Sequence, residues 1–427
     1  PTSLPEREKP RSHRRELWRN RDYMLLWSGQ LVSTLGSTMS YVVFPLLVLS
    51  LTDSPEQAGI VGALFSIPYV LLSLPAGALI DRWDRKRVMI VSDVIRAAGF
   101  AVIPIAMFTE TLTVWHLYAV ALIEGTFFVF FNIAEVAALP RVVKPEHLPE
   151  ATSQNMATFA VANMVGPGLG GFLFQSVGRA FPFLSTAVTY TLSAISLVFV
   201  RTNFQVERAP GAPERHLWRE IKEGMSWLWA NRLLRFMAFV TGGVNFVLVG
   251  GTLVVIVVAR ELGVDEAGIG LIFSIGAIGG ITGAALAGTI QRRFGYGQVT
   301  ISTLWLLALA FPLFAVAPHV AVLALAWALI DITVPVFSVV QISYRLPLIP
   351  DELQGRVNSS YRWLGFGTQP LGSVLAGFLL ENAGAAVTVG VFTAILLVVA
   401  VATTLNREVR SATRAMPTER DVPTTPH

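Results

Sequence analysis

Twelve times along this chain the sequence runs for about twenty residues or more with almost no charge, each run long enough to cross roughly 30 Å of hydrocarbon as a helix. The runs cover about Asp22 to Leu51, Gln57 to Ile80, Val88 to Phe108, Val114 to Leu139, Leu148 to Gln175 and Phe181 to Val200. After a polar connector come Arg235 to Ala259, Asp265 to Ile290, Gln298 to Val316, Val320 to Tyr344, Leu353 to Glu381 and Val387 to Leu405. Composition agrees: 53% of the residues are hydrophobic and 14% charged, well under the roughly 25% charged of a soluble domain. The expected fold class is an all-α membrane protein of twelve spans, in two pseudo-symmetric six-helix bundles. Its parts would be a tail (1–21), a first bundle (22–200), a connector (201–234), a second bundle (235–405) and a second tail (406–427).

The nominal charge of +4 invites a nucleic-acid reading, but the placement of the basic residues argues against one. Of the 32 lysines and arginines, all but Arg96, Arg179, Arg260 and Arg362 fall in, or within about four residues of, the tails, the connector and the loops after spans 2, 4, 8 and 10. Those segments share one side of a twelve-span chain. The positive-inside rule therefore predicts a multi-pass protein of the cytoplasmic membrane with both termini in the cytoplasm. The opening segment, rich in Pro, Arg and Glu, has no apolar stretch of the signal-peptide kind. No cysteine is present, so disulfides, thiolate metal sites and thiol catalysis are excluded.

The connector carries Leu217, Trp218, Ile221, Met225, Leu228 and Trp229 at helical spacing among Arg219, Lys222 and Glu223. That pattern predicts an amphipathic helix lying along the membrane interface. The two bundles repeat weakly. "NRD" before span 1 answers "NRL" before span 7, which aligns Asn20 with Asn231. "GPGLGGFLFQSVG" in span 5 answers "GSVLAGFLLENAG" in span 11, and "IEGTFFVF" in span 4 answers "IDITVPVF" in span 10. Duplicated bundles of this kind suit a protein that rocks one half against the other around a central site.

"GALIDRWDRKR" between spans 2 and 3 is the sharpest local motif. It resembles the G-x-x-x-D-R-x-G-R-R/K loop of the major facilitator superfamily, with Asp84 where the broad pattern has Gly. With "NRDYMLLWSGQLVSTLG" in span 1 and "SDVIRA" in span 3, the chain is similar to the branch containing macrolide efflux proteins and the enterobactin exporter, from span 1 to span 12. The resemblance implies the major facilitator fold and a cytoplasmic latch of Gly77, Asp81, Arg82, Arg85 and Glu135, in which Asp81 faces the start of span 11 and Arg85 pairs with Glu135. The alternative is that these charges only set topology. "NMVGPGLGGF" resembles the exporter pattern of span 5 through Gly166, Pro167, Gly170 and Gly171, although Ala162 stands where the longer pattern has Gly. The glycines of span 8 (Gly276, Gly279, Gly280, Gly283) are expected to pack tightly, against span 5 or as ordinary helix contacts.

Charges inside a span are costly and kept for a reason. Glu124 of span 4 and Asp331 of span 10 superpose in the repeat, and the resembled fold lines its cavity with spans 1, 4, 7 and 10, so the two acids are expected to face each other there. They are the proton-coupling candidates, with a purely structural hydrogen-bonded role as the alternative. Relatives often carry an acid after "LG" in span 1; this chain has Gly36-Ser37, which moves the weight to spans 4 and 10. Asp93 and Arg96 are spaced for an intrahelical pair. Arg362 has no partner in its own helix and is expected to meet a cavity carboxylate or an anionic group of the substrate. Gln30, Tyr41, Phe128, Asn132, Asn245, Thr333 and Gln341 complete the candidate cavity wall, whose aromatic character suits a bulky amphipathic or cationic substrate. The six histidines are scattered and no phosphate loop occurs, so neither an enzyme nor a resident cofactor is expected.

The expected function is proton-coupled efflux of a drug-like or secondary-metabolite molecule by alternating access. Import, or carriage of a lipid or siderophore, is the alternative on the same fold, and a non-transporting receptor is a further one. The expected partners are the small molecule, protons and membrane lipid, with no nucleic acid, and the expected state is a monomer.

Overall fold

The computed structural model describes residues 16–205 and 217–412, and among them every regular element is helical. Spans 1 to 6 are Arg21–Thr52, Pro55–Ile80, Arg85–Phe108, Val114–Val142, Leu148–Ser176 and Phe181–Phe199. The connector helix is Leu217–Ala230, and spans 7 and 8 are Arg232–Glu261 and Glu266–Arg293. Span 9 is Tyr296–Ala310, continued by Leu313–Val316 past Pro312, and span 10 is Val320–Arg345. The remaining crossing segments are Gln354–Phe366 and Gln369–Leu405.

Eleven segments are long and apolar enough to cross a membrane, and the last, Asp351–Leu405, has 55 residues. As one straight helix it would measure about 80 Å, far more than a bilayer needs. It turns back at Gly384, whose φ of 79° and ψ of 172° are non-helical. Contacts trace the return. Arg356 lies against Gly224 of the connector helix, Gly377 lies against Pro55 and Gly59 at the start of span 2, and Asn406 and Arg407 share a pocket with Arg232 and Arg235 at the start of span 7. The segment is therefore spans 11 and 12, and the described residues hold twelve crossing segments.

Residues around Asn20 and Asn406 lie at the same end as the loops after spans 2 and 4, where Asn20 Nδ2 donates to the Val142 carbonyl at 2.8 Å. This is the basic end of the bundle. Asn20 and Asn231, paired by the repeat, play equivalent local roles. Each side chain accepts a hydrogen bond from the N–H three residues on (Tyr23 and Leu234), capping spans 1 and 7. Outward faces are apolar, as with Phe108, Leu325 and Val398, which suits hydrocarbon rather than water.

The connector helix buries Leu228 and leaves Trp218 exposed. It is tied to span 11 as well as amphipathic: Arg356 pairs with Glu223 at 2.6 Å and Glu220 at 3.6 Å.

Gly384 allows a direct stability test. A Cβ at Gly384 or at Gly390 would meet no heavy atom within 4 Å, so only the backbone conformation distinguishes them. A φ/ψ pair open essentially to glycine alone costs a substituted residue about 1–3 kcal/mol. Gly384→Ala is expected to lower the unfolding temperature in detergent, and Gly390→Ala to leave it unchanged or raise it slightly. Equal behaviour of the two variants would contradict the turn.

Candidate functional site

The bundles meet most closely at the end opposite the basic one. A Cβ on Gly270 (span 8) would collide with the Pro167 carbonyl oxygen and one on Gly171 (span 5) with that of Glu266. Gly59 and Gly377 bring spans 2 and 11 together in the same way. Ser54 Oγ donates to Glu381 Oε2 at 2.8 Å and Gln175 Nε2 to Asp265 Oδ2 at 2.9 Å, each joining one bundle to the other. The Gln175 bond, followed by that from the Gly268 N–H, holds the Asp265 carboxyl below the usual Asp range. A depressed carboxyl stabilises above its ordinary value of about 3.9 and loses that contribution only as pH falls through the lower folded value. This contact is therefore intact throughout the neutral range.

Toward the basic end the bundles part. Trp363 Nε1 donates to the Val70 carbonyl at 2.8 Å and the Tyr69 and Phe366 rings lie 5.6 Å apart. Beyond them an opening of about 450 Å³ is lined by Gly77, Asp81 and Arg82 on one bundle and Gly355 and Arg356 on the other. Asp81 thus shares an opening with the start of span 11. Arg85 pairs with Asp81 at 3.4 Å and donates to the carbonyls of Ala137 and Phe204 at 3.0 and 3.3 Å. The expected Arg85–Glu135 pair is absent among the described residues, because positions 135 and 137 point about 200° apart around span 4. Glu135 interacts instead with Gln30 of span 1.

The exporter-like glycines of span 5 serve two interfaces. Gly166 and Gly170 admit Thr38 and Met39 of span 1, and Gly171 admits span 8. In span 8 itself, Gly276, Gly279 and Gly283 pack on Trp327, Ala328 and Ile332 of span 10. The expected contact of these glycines with span 5 is thus replaced by one with span 10, and Gly270 supplies the span 5 contact.

Inside the first bundle Arg96 is enclosed. Its Nε donates to Glu124 Oε2 at 2.9 Å and its Nη2 to Oε1 at 2.5 Å, a two-point pair between spans 3 and 4. Tyr190 of span 6 donates to Glu124 at 2.9 Å, exchanges a hydrogen bond with Ser37 at 2.8 Å and lies with its ring centroid 4.0 Å from the guanidinium. Phe128 and Phe131 place their rings 5.8 Å from the same group. Asp93 accepts from Arg96 Nη1 at 3.5 Å through Oδ1, is 0% exposed, and faces the Ser193 hydroxyl of span 6. Two carboxylates therefore share one guanidinium. Glu124 is turned into this bundle with both oxygens engaged, which corrects the expectation that it faces Asp331 across a cavity. Asp331 packs beside Trp327 on Gly276, within interaction range of Tyr41 from span 1.

In the second bundle a cavity of about 380 Å³ lies among spans 7, 10 and 11. Asn245, Thr333, Gln341 and Arg362 line it, as do Arg345 and Tyr361. Gln30, Tyr41, Phe128 and Asn132 are not among its lining residues. Asn245 donates to the Gly365 carbonyl at 2.9 Å and Gln341 accepts from Tyr296 at 3.3 Å. Sequence reasoning missed Tyr190, Arg345 and Tyr361. Tyr190 had no local signal, and Arg345 read as one more charge of a basic loop.

A family model described as "Transmembrane secretion effector", of the major facilitator class, matches residues 17–425. The multidrug efflux pump Tap of Mycolicibacterium fortuitum is 25% identical over 84% of this chain and 90% of its own length. Macrolide efflux protein A of Streptococcus pyogenes is 24% identical over 86% of this chain and 91% of its own length. Among solved structures, a point mutant of the nucleoside transporter NupG superposes with a TM-score of 0.72 at 15% identity, covering 89% of this chain and 99% of that one.

Proposed function

The chain belongs to the transmembrane secretion effector family of the major facilitator superfamily, transporters rather than enzymes, and from that premise we propose that it exports an amphipathic small molecule from the cytoplasm in exchange for protons. Relatives named as efflux pumps, together with the span 5 glycines and Pro167, favour export. The arginine distribution favours a cytoplasmic basic end. The open basic end and sealed opposite end then correspond to a loading state.

The observation that carries proton coupling is the buried Asp93–Arg96–Glu124 cluster. One guanidinium balances one carboxylate. A second carboxylate in the same dry site leaves a net negative charge whose burial costs several kcal/mol, unless a proton accompanies it. Glu124 makes the better ion pair, so Asp93 is the acid that carries the proton. Arg96, held by Tyr190 and Ser37, can lean from Glu124 toward Asp93 when that proton leaves, which would couple protonation to the packing of spans 3, 4 and 6. Asp331, beside Tyr41 between spans 1 and 10, is a second protonation candidate. In this reading the latch residues Asp81 and Arg85 approach span 11 when the basic end closes.

Everted membrane vesicles test the direction. Acidifying the vesicle interior is expected to drive uptake of a macrolide or lipophilic dye, and a protonophore to abolish it. Uptake confined to right-side-out vesicles would indicate import, and uptake indifferent to the protonophore would remove proton coupling.

A further inference from the structure

The cavity of the second bundle is lined by two guanidiniums and no carboxylate. Arg345, at the end of span 10, is 5% exposed. Its partners are neutral: Nη2 donates to Asn358 Oδ1 at 2.6 Å and the group lies 3.7 Å from the Tyr361 ring centroid. Its Nε is buried without a hydrogen-bond partner. Arg362, on the next span, lies beside the paired rings of Tyr69 and Phe366, 5.8 and 5.9 Å from their centroids. Neither makes a salt bridge among the described residues, unlike Arg96 in the other bundle. Gln341 Nε2, a third donor on the same cavity, is likewise buried and unpartnered.

Arg345 is a buried guanidinium with no counter-charge, which is expensive, and Arg362, exposed but lining the same cavity, adds a second positive charge to its surroundings. Such an arrangement is balanced by an anion that arrives from outside and offers oxygens to planar donors. The remaining wall is largely apolar, including Val244, Leu248, Phe337 and Ile342, and its volume suits a drug-sized body. The geometry points to a binding site for an amphipathic organic anion, with its carboxylate or phosphate head at Arg345 and Arg362 and its apolar body along spans 7 and 10. This rests on the export reading for its physiological role, since the bound anion would be the cargo. On this reading the cargo is an amphipathic anion, where the aromatic wall suggested a bulky amphipathic or cationic molecule.

Binding is measured on purified full-length protein in neutral detergent, with pyrenebutyrate as the probe and its methyl ester and the corresponding amine as comparisons. The carboxylate is expected to bind at least tenfold more tightly than either, and Arg345→Gln or Arg362→Gln to weaken it tenfold or more. Arg362→Lys should recover part of the loss. Unchanged unfolding temperatures and elution volumes identify variants that are folded, and Arg362, with no hydrogen bond to lose, is the safer of the two. Repeating the titration in nanodiscs with and without phosphatidylglycerol separates the sources. Competition by that lipid assigns the site to a lipid headgroup, and its absence assigns it to a soluble anion; both outcomes support an oxyanion site. Equal affinity for carboxylate, ester and amine, or full affinity in both Gln variants, would overturn it. Because binding is read without transport, a protein that exports a dye but ignores the carboxylate refutes this site alone. One that binds the carboxylate but moves nothing refutes the export reading alone.

Discussion

Asp93→Asn protein is expected to fold, to bind cargo, and to lose at least tenfold of its proton-driven flux. The substitution fixes the cluster in its neutral state, so the exchange of cargo across the membrane without a gradient should persist while the response to a pH difference disappears. Glu124→Gln should uncouple as well, because Asp93 then becomes the sole counter-ion of Arg96, stays ionised and no longer takes up a proton. Arg96→Met is expected to be worse than either. It leaves two buried acids facing each other, and breaking a buried pair by removing one partner costs about 3–5 kcal/mol. Adding Glu124→Met to it should restore much of that stability, since an apolar replacement of the whole pair is tolerated far better than half a pair. Proteoliposome flux at two pH gradients, with unfolding temperatures alongside, checks the set. A fully coupled Asp93→Asn variant would take the proton away from this cluster and leave Asp331 as the remaining acid.

Gly270→Val should disable the opposite seal. Its side chain must displace the Pro167 backbone, as Gly377→Val must displace Pro55 and Gly59, and backbone cannot give way as a flexible side chain does. Flux is expected to fall tenfold or more, with the protein shifted away from the state open at the basic end. The chain has no native cysteine, so a single Ser338→Cys, exposed on the cavity wall, reports access without background. With the seal intact, an impermeant thiol reagent should label it from the basic side and hardly at all from the other. In the Gly270→Val background, labelling from the other side should rise severalfold. Unaltered labelling would mean that the glycine seam does not close the pathway.

How far the sequence could be read depended on whether a signal was local. Span positions and the close-packing glycines were legible because each follows from a residue and its immediate neighbours, whereas Asn20 and Asn231 were legible as a matched pair but not as helix caps. Gly384 was legible only as a gap between two apolar runs. The partners of the intramembrane charges were not legible. Asp93 and Arg96 advertise a pair through their spacing, but the stronger partner, Glu124, sits on another helix whose rotation no sequence period records, and Tyr190 joins from a third. The repeat suggested a facing pair, Glu124 and Asp331, because aligned positions in two halves suggest equal roles. In the folded chain their neighbours differ: Arg96 and Tyr190 for Glu124, Trp327 and Gly276 for Asp331. Arg345 was hidden for another reason: a charge at the end of a span looks the same in sequence whether it faces water or a cavity.

The acid cluster and the guanidinium pair occupy different bundles, so a proton and an anionic cargo need not compete for one set of groups. Their separation bears on membrane voltage. An anion moving out and a proton moving in shift charge in the same electrical direction, and each elementary charge crossing the potential is worth about 2.3 kcal/mol per 100 mV. A carrier built this way is driven by the inside-negative potential on both strokes, and it would run as a current source even where the two sides of the membrane hold the same pH.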